Sequence, residues 1–141
     1  MKNTEKSANE LNKATITKVF ADLKIEKVEV EFDGCGDEGQ IGSITRLDAE
    51  GNEVENTNIS VEYYWNVTSY SQGKSERYAE GTKGNLNDLI EYYVYGLLCS
   101  LHGGWEINSG SFGTVTINKD GSGNIDYNER IEDVENYQTS F

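Results

Sequence analysis

Eight apolar residues between positions 86 and 101 place the tightest constraint on this chain. Leu86, Leu89, Ile90, Tyr93, Val94, Leu97, Leu98 and Leu101 recur at steps of three and four, the spacing that collects side chains on one stripe of an α-helix. A stripe this wide has to be buried against a second layer of structure. Asn85, with Asp88 three residues on, caps the start of the helix, and Gly103-Gly104 ends it.

The second layer reads as β-sheet. Val28, Val30 and Phe32 alternate with Glu29 and Glu31, and Ile59, Val61, Tyr63, Trp65 and Val67 occupy every second position of another segment; both patterns are those of half-buried strands. The glycine-rich stretch from Asp33 to Gly39 reads as a turn, with Ile41 to Leu47 as the returning strand and Asp48 to Asn52 closing it. A turn at Ser71-Gln72-Gly73-Lys74 makes Ser75 to Glu80 the hairpin partner of the alternating segment. Gly113 to Asn118 and Asn124 to Arg130 form two more strands around Lys-Asp-Gly-Ser-Gly, and the tail to Phe141 is either a last strand or irregular.

A first helix starts at Ser7-Ala8-Asn9-Glu10, which has the form of a capping box, and runs to about Lys24 with Ala8, Leu11, Thr15, Val19, Phe20 and Leu23 on its apolar side. The chain contains no proline, no internal repeat and no linker-like stretch. The expectation is one α+β domain over residues 1–141, a mostly antiparallel β-sheet with two amphipathic helices packed on one face. Only 35% of residues are hydrophobic, so nine tyrosines and four phenylalanines must supply much of the core.

Charge narrows the partners. Twenty-five acids face twelve bases, a net charge of −13; residues 31–141 hold twenty of the acids and six of the bases. Such a surface repels phosphate backbones and anionic membranes, so direct nucleic-acid binding and membrane binding are not expected. It attracts a basic surface on another protein, and it also keeps a small domain in solution. With no secretory signal after Met1 and no stretch long enough to span a bilayer, the expected location is the cytoplasm. Cys35 and Cys99 have no CxxC spacing and do not suggest zinc.

Asn118 to Glu129 overlays a twelve-residue calcium loop. Asn118, Asp120, Ser122, Asn124 and Asp126 fall at liganding positions, Gly123 at the sharp turn, Ile125 at the hydrophobic anchor and Glu129 at the bidentate position. A calcium loop of this type is entered by a helix, whereas Thr114, Val115, Thr116 and Ile117 favour a strand. A β-hairpin with an Asp-Gly-Ser-Gly turn accounts for the same residues.

Three further segments collect polar groups: the turn with Asp33, Asp37, Glu38 and Gln40; the stretch with His102, Trp105 and Glu106; and Asn128-Glu129-Arg130. Should they converge, His102, Glu106, Asp37, Glu38 and Glu129 supply the groups for a divalent metal or for acid–base chemistry. Each also has a structural reading. His102, the single histidine, suits a helix C-terminus, and Trp105 suits packing over the end of the second helix. No GxSxG elbow, Walker loop or HExxH motif occurs.

The segments FDGCGDEGQI (Phe32 to Ile41), HGGWEINSGSFG (His102 to Gly113) and YNER (Tyr127 to Arg130) together resemble a family of small bacterial proteins associated with mobile elements and prophages, a domain of unknown function. The resemblance runs from about Val28 to Phe141 and leaves out the Ile59 to Glu80 hairpin. It carries over no activity. It implies that the segment before Asn128 is a hairpin with a varied turn, and that the three polar segments belong to one shared feature.

The functional expectation is a non-enzymatic acidic interaction module for a basic protein surface, with a phage or mobile-element inhibitor as one version and no cofactor. The alternatives are a metal-dependent enzyme or metal-binding protein using His102 and nearby carboxylates, and calcium binding through residues 118–129.

Overall fold

The computed structural model describes residues 2–35, 38–55, 59–102, 111–129 and 135–141. Its elements follow in the order β1 (Lys2–Asn3), α1 (Ala8–Leu23), β2 (Lys27–Cys35), β3 (Glu38–Leu47), β4 (Val61–Ser71), β5 (Lys74–Gly84), α2 (Leu86–Leu101), β6 (Ser111–Asn118), β7 (Gly123–Glu129) and β8 (Glu135–Ser140). The expected α+β architecture is present, with every strand pair antiparallel. The strands divide into a five-stranded sheet of order β3-β2-β6-β7-β8 and a three-stranded sheet of order β1-β5-β4.

Both helices begin on the residues that the sequence marks. Ser7 Oγ accepts a hydrogen bond from the Glu10 N–H at 3.3 Å, and the Glu10 carboxylate accepts one from the Ser7 hydroxyl. Asn85 and Asp88 form a full reciprocal box, each side chain accepting from the other's backbone N–H at 2.9 and 3.0 Å. The Ser7 cap thus satisfies one amide and the Asn85–Asp88 box two that would otherwise lack partners at a helix start. α1 ends at Lys24, which takes a left-handed conformation and donates its N–H back to Phe20 and Ala21.

One core joins the helices to a single face of the larger sheet. Ile16 and Phe20 of α1 and Leu89, Ile90, Val94 and Leu98 of α2 pack with Val28 and Val30 of β2, Val115 and Ile117 of β6, and Ile125 of β7. Each such side chain contributes on the order of 2 kcal/mol by leaving water.

The β4–β5 hairpin flanks this core, and Asn12 ties α1 to it. The fully buried Asn12 amide donates to the Tyr64 carbonyl at 3.0 Å and accepts from the Tyr64 N–H at 2.8 Å. This pair satisfies both backbone groups of a buried strand residue.

Three expectations need correction. Asn12 and Ile16, not Leu11 and Thr15, fill the buried side of α1. The alternation in β4 breaks, so that Val61 and Tyr64 are buried while Tyr63 and Trp65 are half-buried. The Asp33 to Gly39 segment is mostly strand: Asp33, Gly34 and Cys35 pair with Gln40, Gly39 and Glu38. Of the two forms left open for the tail the strand is the one taken, as β8, and β1 adds a short strand that the sequence does not announce. No helix is long and apolar enough to cross a membrane among the described residues.

Candidate functional site

The sheet pleat decides where the polar candidates go. In β2, Val28, Val30 and Phe32 point into the core, so Glu29, Glu31 and Asp33 point to the opposite, helix-free face. The register then builds rows of side chains across four strands. Glu29, Thr116, Asn124 and Ser140 form one; Glu31, Thr114, Asp126 and Gln138 the next; Asp33, Phe112, Asn128 and Asn136 the third.

Hydrogen bonds knit the β7–β8 part of this face together. Asp126 Oδ1 accepts from Asn136 Nδ2 at 2.6 Å and from Gln138 Nε2 at 2.7 Å. Asn136 Nδ2 also donates to Asn128 Oδ1 at 2.7 Å, and Asn124 donates to Gln138 Oε1 at 2.8 Å. A shallow groove of about 410 Å³ runs along the face, with Glu31, Asp33, Asp126 and Asn128 among its walls. Lys27 pairs with Glu29 at 3.5 Å. The face is thus a hydrogen-bonded polar plate edged with carboxylates.

His102 lies on the other side of the sheet. It closes α2, donating its N–H to the Leu98 carbonyl at 2.9 Å. Its ring stacks on Tyr127 with centroids 4.0 Å apart and planes 12° apart, and Nε2 sits 2.8 Å from the Thr139 hydroxyl. Tyr127 in turn stacks with Phe32 at 6.1 Å. Both are register neighbours of Gly113, where an added Cβ would strike the Asp126 carbonyl and crowd the Phe32 ring. Glycine there lets the two rings close over β6.

The sheet therefore separates His102 from Asp33 and Asn128, and these three do not share a site. Gln40 faces Asp33 in register, Glu38 faces Cys35, and Glu129 lies between Ser111 and Glu135. Asp37, Trp105, Glu106 and Arg130 fall outside the described residues. Among the described residues, no three His, Cys, Asp or Glu side chains gather as a metal site.

Residues 118–129 form a hairpin rather than a helix-entered calcium loop. Asn118 accepts from the Gly121 N–H at 2.9 Å and donates its own N–H to the Ser122 carbonyl at 2.7 Å. Asp120 Oδ1 accepts from the Ser122 hydroxyl and N–H, which hold its carboxyl below the usual carboxylate range. Gly121 takes a left-handed conformation (φ +83°) under the Lys13 stem, and its carbonyl accepts from the buried Tyr93 hydroxyl at 2.7 Å. Burial, reinforced by the Asp120 charge, pushes the Tyr93 phenol up to about 12. Beyond the turn, Asn124, Asp126 and Glu129 lie along an extended strand, which spreads the first and last over about 17 Å instead of wrapping them round a point. Asp126 turns Oδ1 toward the Asn136 and Gln138 amides on the sheet face.

A cluster that sequence reasoning misses sits where β4 meets α2. Tyr63, Trp65 and Tyr92 are mutually in contact, with ring centroids 4.7, 5.9 and 6.1 Å apart. Tyr92 and Tyr95 are 42% and 45% exposed. The signal was in α2 itself: the side turned away from the core carries tyrosines where a solvated helix places lysine or glutamate.

Comparison with curated proteins and with solved structures finds no match. A family model does match, over residues 8–141. It includes the Ile59 to Glu80 hairpin and α1, both of which the motif resemblance had left out. With nearly the whole chain covered, the protein belongs to the family of unknown function DUF6878.

Proposed function

We propose that this chain is a non-enzymatic acidic interaction module that covers a basic surface on another protein. The observation that carries the reading is the helix-free face of the five-stranded sheet, where Glu29, Glu31, Asp33 and Asp126 are set in rows among threonines, asparagines, a serine and a glutamine, with Phe112 the one apolar side chain of those rows. A flat polar plate with carboxylates at fixed spacing complements lysine and arginine side chains, and a net charge of −13 steers such a partner toward it. A mobile-element or phage inhibitor acting in the cytoplasm by occupying a nucleic-acid-binding surface is one form of this function.

The test compares two variants of equal charge. One carries Glu29→Gln, Glu31→Gln, Asp33→Asn and Asp126→Asn; the other carries Glu5→Gln, Asp22→Asn, Glu55→Gln and Glu76→Gln at exposed positions elsewhere. Binding of a lysine- and arginine-rich peptide is measured from about 50 mM to about 500 mM NaCl, a range over which screening shortens from beyond a side-chain length to a few ångströms. The reading expects salt-sensitive binding that the first variant loses and the second keeps. Equal loss in both would reduce the effect to net charge and overturn the assignment to this face.

A further inference from the structure

The aromatic cluster on α2 has the form of a docking surface. Tyr92 and Tyr95, three residues apart, make a ridge between two hollows. One hollow, of about 260 Å³, is bounded by the ridge, Ile41 and Glu91; the other, of about 400 Å³, lies between the ridge, Trp65 and Cys99. Among the described residues neither is lined by a lysine or arginine, and α2 contains none: its two charged residues are Asp88 and Glu91. Glu91 is half-buried, and desolvation together with the neighbouring Asp88 charge raises its pKa above the usual carboxylate value. A carboxylate held in that setting gains from an incoming cation. The Tyr92 and Tyr95 rings that line the same hollow attract the same cation through their ring quadrupoles. Aromatic anchors of this kind, partly desolvated before binding, are where interfaces concentrate their affinity.

We propose that this ridge docks an arginine-bearing segment of the basic partner, with the guanidinium stacked on Tyr92 and paired with Glu91 in the hollow that both line. Arginine fits better than lysine because its planar fork stacks on a ring while donating to a carboxylate in the same plane. The inference rests on the reading of the chain as a module for a basic partner. It adds a short-range, specific contact to the long-range attraction of the sheet face.

The experiment titrates the full chain with a short arginine-rich peptide and with its citrulline counterpart, which keeps the shape and removes the charge. NMR follows the Trp65 indole and the Tyr92 and Tyr95 rings, at about 0.5 M NaCl so that long-range attraction is screened. The arginine peptide is expected to shift these signals saturably and the citrulline peptide to leave them unmoved. Tyr92→Ala and Glu91→Gln, each checked for an unchanged fold by its amide spectrum, are expected to weaken binding by about tenfold. Shifts confined to the sheet face, or Tyr92→Ala binding as tightly as the parent chain, would overturn the ridge while leaving the acidic module intact. No binding of the peptide at any salt concentration would overturn both. Sedimentation showing a dimer that Tyr95→Ala dissociates would assign the ridge to a second copy of the chain and also refute the proposal.

Discussion

Along β2, Val28, Val30 and Phe32 are buried beneath the helices, while Glu29, Glu31 and Asp33, each one residue further on, stand on the open side of the same strand. β7 repeats the division, with Ile125 and Tyr127 inside and Asn124, Asp126 and Asn128 outside. The two faces share backbone, register and neighbours, yet one is held by apolar packing and the other by side-chain hydrogen bonds in contact with water. Packing tolerates few changes of shape, whereas a solvated polar plate tolerates many. A sheet divided in this way can change its outer face, and with it a partner, without endangering its fold.

Neighbouring residues offer the sharpest attempt to break that comparison. Ile125→Ala is expected to cost about 2–5 kcal/mol by leaving a cavity, whereas Asn124→Ala should stay within about 0.5 kcal/mol; urea unfolding of both checks this, and similar losses would mean that the outer network is structural. Tyr93→Phe probes the seam between the covered face and the hairpin turn. Removing the donor to the buried Gly121 carbonyl is expected to cost about 1–2 kcal/mol at neutral pH. The Tyr93 phenol is raised in the fold, so its contribution is fully present below pH 10.0 and is lost as pH rises through about 12. Thermal melts across that range should show an alkaline decline that Tyr93→Phe flattens. The smallest effect belongs to Glu91→Gln. With a folded pKa above 4.5, the stability that Glu91 contributes is present below that value and lost as pH rises through the folded pKa. The variant should therefore melt slightly above the parent at neutral pH, and the gap should close in acid.

The α2 stripe, its capping box and the hairpins were legible in the sequence because each rests on local periodicity and turn chemistry. The face of α1 was not. Asn12 is polar, and only the Tyr64 backbone groups, 52 residues away in sequence, make its burial favourable. The break of alternation in β4 has the same origin: Tyr64 is buried against Ala8 and Ala79, and Tyr63 and Trp65 turn toward Tyr92. Which face the polar residues take was not legible, because strand parity cannot be followed across a glycine-rich turn; the pairing of Asp33 with Phe112 and of Phe112 with Asn128 sets those two on one face, while His102 stacks on Tyr127 of the other. The α2 tyrosines were read for hydrophobicity alone, which does not distinguish a buried ring such as Tyr93 from exposed ones such as Tyr92 and Tyr95.

Asn12 also has a consequence for the life of the chain outside its fold. β4 is the last strand of its sheet, and a bare last strand is a template on which another chain can add. The Asn12 amide occupies the Tyr64 N–H and carbonyl as a neighbouring strand would, but it offers no further edge of its own. A single side chain on a helix thus covers one residue of that edge near its start, leaving a small acidic protein less open to edge-to-edge association there.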